Sequence, residues 1–196
     1  MKPIKLFFIL FIINIGLQSW TKADDIRNFE IEGMSIGDSM LKFMSKNEIL
    51  KSKRNYFDSK RKYFAIGYNK NLNTYETVDI YLKTDDQNYI IKNIIGFIFL
   101  GKSECLAKKD EINREIEVLF KDSYIDNYTD THEVDKTKKS KVYTTVYYTN
   151  SENDDHIRVE CTDWSNKIEK ERNWSDNLGV SAVTDEINKW YISGYE

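Results

Sequence analysis

The chain has 196 residues, a formal net charge of −3, one proline, 13 tyrosines and 10 phenylalanines. That length gives one domain or two small ones and suffices for a sizeable core. A mildly acidic chain has no global pull toward nucleic acid, and its eight scattered glycines offer no phosphate-cradling loop.

The opening "MKPIKLFFILFIINIGLQSWTKA" has the three-part pattern of a secretory signal peptide. Lys2 and Lys5 precede an apolar run from Leu6 to Leu17, and a short polar stretch ends in the small residues Thr21 and Ala23. Cleavage is expected after Ala23, leaving residues 24–196. The apolar run is about 12 residues, where a spanning helix needs about 20; an uncleaved anchor is the alternative. No cysteine follows the small residues, so a lipid anchor is not supported. Membrane contact is expected only through the signal before cleavage. Loss of Lys2, Lys5 and Lys22 would take the net charge to −6.

Ser35 and Asp38 have the spacing of a capping box, which predicts a helix with Ile36, Met40, Phe43 and Met44 on its apolar face. Ser45 and Glu48 repeat that spacing and predict a second short helix to about Arg54. Three strands are expected next: Lys62 to Tyr68, "YETVDIYLK" and Tyr89 to Leu100. In the second, Val78, Ile80 and Leu82 alternate with Thr77, Asp79, Tyr81 and Lys83. Short connectors imply antiparallel neighbours. "SECLAKKDEINREIEVLFKD" reads as a helix capped by Ser103, with Cys105, Ile112, Ile116 and Leu119 inward and Lys109, Asp110, Arg114 and Glu117 outward. A polar loop over 123–140 follows. "KVYTTVYYT" and "HIRVECTDW" form a second hairpin around "NSENDD", and a short strand is expected over Leu178 to Val183. Thr184 caps a last helix with Ile187, Trp190 and Tyr191 as its apolar edge.

The order αβββ-αβββ-α implies an α+β domain, an antiparallel sheet of about six strands with helices on one face. The two αβββ units, 24–101 and 102–196, repeat in pattern only. The segment "IEGMSIGDSMLKFM" resembles the opening of BLIP-like modules, the group of secreted β-lactamase inhibitor proteins and small outer-membrane assembly lipoproteins. There a Gly-Met-Ser/Thr turn leads into a helix before an antiparallel meander. The chain departs from the lipoproteins in lacking a lipidation cysteine and a Leu-Gly-x-Pro after the helix. The same opening, with the later "CTDWS", also looks like small exported proteins of marine bacteria. Neither resemblance carries over a catalytic residue.

Chemistry is sparse. Alternation in "HIRVECTDW" sets Ile157, Val159 and Cys161 on one face and His156, Arg158, Glu160 and Thr162 on the other. Cys161 and Cys105 both face inward. In an oxidising compartment this pair reads as a structural disulfide closing a loop of about 57 residues. Two free buried thiols are the alternative, and redox or metal work has the least support. Asp126, Asp130, His132, Glu133 and Asp135 lack the glycine turn and alternating ligands of a calcium loop and read as a solvated acidic loop. No metal or cofactor is expected. No nucleophile elbow or Ser-x-x-Lys occurs. Asp163 falls on the inner face and needs a partner, in the loop "WSNK" or at a helix start. The basic stretch 51–62, with Tyr56 and Phe57, reads as solvated, with anionic lipid as the functional alternative.

Tyr81, Tyr143 and Tyr147 fall on expected outer strand faces and suit either protein recognition or plain cross-strand pairing. The expected function is a non-enzymatic, exported, periplasmic module that binds an envelope protein through that aromatic face. The alternative is a small enzyme or ligand-binding protein with a site near Asp163, His156 and the 123–140 loop.

Overall fold

The computed structural model describes residues 25–54, 61–149 and 152–194. The signal peptide with its Ala23 site, and Tyr56, Phe57 and Lys60 of the basic stretch, lie outside the described residues.

The first predicted helix does not form; a small hairpin, β1 (Glu30–Ile31) and β2 (Met34–Ser35), runs up to its expected start and turns follow. Glu32 and Gly33 turn it with φ of 53° and 73°, and Gly37 follows at 90°. A helix cannot run through a left-handed residue. Asp38 still accepts a hydrogen bond from Ser35 N at 3.1 Å, but it closes a turn. A single 3₁₀ turn covers Met40–Lys42. Ile36, Met40 and Met44 are nonetheless buried. The second cap behaves as its spacing implies: α1 (Lys46–Lys51) starts at Ser45, with the reciprocal Ser45–Glu48 bonds both formed.

The main sheet has seven antiparallel strands: β3 (Tyr63–Tyr68), β4 (Thr77–Lys83), β5 (Ile91–Ile98), β6 (Tyr124–Thr131), β7 (Lys141–Tyr148), β8 (His156–Asp163) and β9 (Asn177–Val183). Their spatial order is β3-β4-β5-β9-β8-β7-β6. Each half supplies a meander, and β9 joins the two by pairing with β5 on one side and β8 on the other. The fold class is therefore α+β with one large antiparallel sheet, of seven strands where about six were expected. The added strand, β6, lies in the stretch read as loop. It is an edge strand with both faces mostly exposed, so its sequence carries no buried alternation.

Helices sit on both faces of the sheet, correcting the expectation of one. The long helix α2 (Lys102–Leu119) packs on β8 and β9. Its cap is Gly101, with no side-chain hydrogen bond, instead of Ser103, and Leu119, expected to face inward, is exposed at the end of the helix. Beneath it and the N-terminal segment lies the main core, which includes Val78, Ile80, Leu82, Ile157, Val159 and Val180. The last helix, α4 (Asp185–Ile192), is capped by Thr184 as predicted. It covers the opposite face, where Tyr63, Ala65, Tyr81 and Val183 meet Ile187 and Trp190. Those apolar residues on the second face need their own cover, which is why one helix crosses over. A short helix, α3 (Asn166–Arg172), was not anticipated; it links β8 to β9. Among the described residues no helix is long and apolar enough to cross a membrane.

Candidate functional site: the open half of the α4-side sheet face

Cys105 of α2 and Cys161 of β8 form a disulfide, Cα to Cα 5.9 Å, with both residues buried. Inward positions on a helix and on the strand beneath it met as the periodicities required. Asp163, two residues on, points to the same side and ion-pairs with Lys102 Nζ at 2.8 Å. Lys102 lies in the first turn of α2 and also sits over the Tyr143 ring. The missing partner of Asp163 is thus a helix start, and its role there is to tie α2 to the strand end.

The three tyrosines do not form an exposed face. Tyr147 is fully buried and Tyr81 is 8 % exposed. Tyr143 and Tyr147 pair across the ladder with Cys161 and Ile157. Directly opposed residues share a face, so both lie under α2, Tyr147 with its hydroxyl 3.4 Å from the Asn113 carbonyl oxygen. Tyr81 lies on the other side, against Tyr191 of α4.

His156 and Asp163 likewise occupy opposite faces and opposite ends of β8. His156 is buried beside Tyr148. Burial, opposed by the hydrogen bond of its Nδ1 to the Asp154 carbonyl and aided by the Arg158 charge, lowers its pKa to about 4. It is neutral at pH 7. The 123–140 stretch is β6 plus a turn locked by Asp135. That buried carboxylate accepts hydrogen bonds from Thr137, Ser140 and Ser165, led by Thr137, which hold it well below the usual carboxylate range. Asp135 is committed to this turn, which joins it to the residue before α3. Among the described residues, no group of three or more His, Cys, Asp or Glu is placed to hold a metal ion.

What α4 leaves uncovered is the other half of its sheet face. There the even-numbered residues of β8 project with Val142, Thr144, Val146 and Tyr148 of β7 and Tyr124, Asp126, Tyr128 and Asp130 of β6; neighbouring side chains bury Val142, Thr144, Val146, His156 and Thr162, so the accessible part is the β6 row and the groove with its rim. Tyr124 and Tyr128 are exposed, and Tyr124 packs on Tyr148. A groove of about 250 Å³ runs between β5, β9 and β8 and is flanked by Phe97, Trp164 and His132. His132 packs against Trp164, and Trp164 against Trp174, as tilted ring pairs with centroids 4.4 and 4.8 Å apart. The Asp135 turn holds His132 at this rim, and the Asp176 carboxylate fixes the Trp164 backbone N–H at 2.6 Å.

Arg158 lies in this groove. Its Nε is buried without a hydrogen-bond partner. One terminal nitrogen faces His156 Nε2 at 3.4 Å. Glu160, in the same groove, is engaged toward β7 by the Thr144 hydroxyl at 3.1 Å. The alternation in "HIRVECTDW" placed Arg158 and Glu160 on this face. Phe97, Trp164 and the rim position of His132 had no such signal, because strand pairing between distant segments brings them together.

The edges of the sheet differ. At β3 the backbone of Ser52 and Arg54 bonds to Gly67 and Ala65, and the Arg54 guanidinium lies over Gly67 and reaches Asp79 at 3.1 Å. That edge is covered. The β6 edge carries no lysine and no proline and presents eight extended residues. Compared with protein-family models, with curated proteins and with solved structures, the chain matches none of them.

Proposed function

We propose that this is an exported, non-enzymatic protein-binding module whose working surface is the open half of the α4-side sheet face, with β6 at its margin. The observation that carries the reading is a row of exposed and half-buried aromatic side chains around a groove whose arginine, among the described residues, has no carboxylate partner. Aromatic and arginine side chains concentrate binding energy at protein interfaces. An uncovered edge strand can add main-chain hydrogen bonds to a docked segment. Export is supported by the N-terminal sequence pattern and by the buried disulfide, which suits an oxidising compartment. The resemblance of "IEGMSIGDSMLKFM" to BLIP-like modules agrees with a binding role. An envelope protein is the proposed partner.

The test uses the immobilised protein and a solubilised envelope fraction. A partner retained by the wild type is expected to stay with Val118→Ala, on the exposed side of α2, and to be lost with Tyr128→Ala combined with Trp164→Ala. Retention of every partner by that double variant would show that the surface is elsewhere.

A further inference from the structure

The groove combines three features that together specify a ligand. The first is Arg158, whose Nε is buried with no acceptor. Among the described residues no carboxylate lies within ion-pair distance of it, and Glu160, the carboxylate in the same groove, is engaged by Thr144 instead. Its neighbour His156 is a neutral ring and offsets no charge. A half-buried guanidinium is expensive unless hydrogen bonds and an opposite charge compensate it. The second feature is shape. Phe97 and Trp164 flank the depression, and Gly179 and Ser181 lie in the same groove. The third is Glu160, fixed in the same groove by Thr144. A doubly charged anion would be repelled by Glu160 more strongly than a singly charged one.

We infer that the groove is a carboxylate-binding site, in which Arg158 receives a single planar carboxylate of a peptide while Phe97 and Trp164 take the adjoining apolar group. A guanidinium and a carboxylate match as a two-pronged pair. The groove volume, about 250 Å³, suits one or two residues of a chain. This inference rests on the proposed protein-binding role and specifies the chemistry the partner must present. The carboxylate can be a chain terminus or an aspartate side chain.

The experiment follows the Arg158 Nε–H resonance by ¹⁵N NMR, assigned from its absence in Arg158→Lys. Four probes are titrated separately to about 10 mM, above the millimolar affinity expected of so small a ligand. They are N-acetyl-Gly-Phe with a free carboxylate, its C-terminal amide, N-acetyl-Gly-Asp-Phe amide, and inorganic phosphate. At least one carboxylate probe is expected to shift this resonance saturably and to bind about tenfold tighter than the amide, the size of one charged hydrogen-bonded contact. Which of the two does so assigns the source as terminus or side chain. Arg158→Gln is expected to erase the preference, and Arg158→Lys to weaken it while keeping the charge and the melting temperature.

Equal binding of acid and amide in the groove would overturn carboxylate recognition and leave the binding surface standing. Tighter binding of phosphate than of either acid would overturn the single-charge argument. No shift of the Arg158 resonance with any probe would overturn the inference, while the surface itself is judged by the envelope-fraction retention test.

Discussion

Removing the disulfide should cost this protein much of its stability. The bridge joins residues 56 apart in sequence. Constraining an unfolded chain over such a loop is worth about 4 kcal/mol on the chain-entropy model. The two cysteines are 1 % exposed each, so Cys105→Ala with Cys161→Ala also leaves a small void, adding about 1 kcal/mol. For a chain of this size about 2–4 °C accompanies each kcal/mol, so the double variant should melt about 10–20 °C lower. Urea unfolding followed by circular dichroism gives both the midpoint and its slope. The slope should rise, because the uncrosslinked chain expands further when unfolded. A loss under about 1 kcal/mol with an unchanged slope would refute the view that the bridge acts by restraining the unfolded chain.

Two further perturbations probe the scaffold. Gly96→Ala would set a Cβ 2.4 Å from the Tyr75 ring, on a segment whose backbone is held by the Glu32 carboxylate through the N–H groups of Asn73, Thr74 and Tyr75. The expected loss is about 1–3 kcal/mol by urea denaturation, relieved by Tyr75→Ala in the same chain; additive losses would contradict the contact. Glu186 tests how α4 is seated. Burial resists its ionisation, but Tyr63, Lys92 and Lys62 outweigh this and lower its pKa to about 2. The stabilisation is therefore present above the unfolded value near 4.5 and lost as pH falls from there toward 2. Because the carboxylate is 38 % exposed, solvent screening limits the effect to about 1 kcal/mol. Glu186→Gln should show that deficit at pH 7 and none near pH 2; a deficit independent of pH would mean the lysines do not matter.

Much of this fold was legible because it rests on local rules. The Ser45 and Thr184 caps and the inward set Ile157, Val159 and Cys161 follow from spacing within one element, and the cysteine pair follows from two such inward positions. The losses have physical causes too. Gly37 at positive φ overrides the Ser35–Asp38 spacing. Lys109 reads as solvated, yet it points from α2 onto the sheet with its amine on the Thr145 hydroxyl at 2.6 Å; a long stem lets a lysine occupy an inner helical position. In "KVYTTVYYT" both alternating sets contain large side chains, so composition cannot choose a face. The register against β8 chooses, and it sets Tyr143, half-buried, and Tyr147, fully buried, on the side of the helix that holds Cys105. The open surface then falls to Tyr124, Tyr128 and Tyr148, the complementary set. Its groove depends on β9 entering between the two meanders, a long-range pairing with no local sequence signature.

Site-specific photo-crosslinking in the native envelope tests the central claim most directly. A photoreactive phenylalanine replaces Tyr128 or Phe97 on the open face, and Val118 or Leu119 on the exposed side of α2. The account predicts a discrete protein adduct from the first two positions and none from the last two, with the adduct lost when Arg158→Gln is added. Adducts only from the α2 positions, or adducts from Phe97 unaffected by Arg158→Gln, would contradict it.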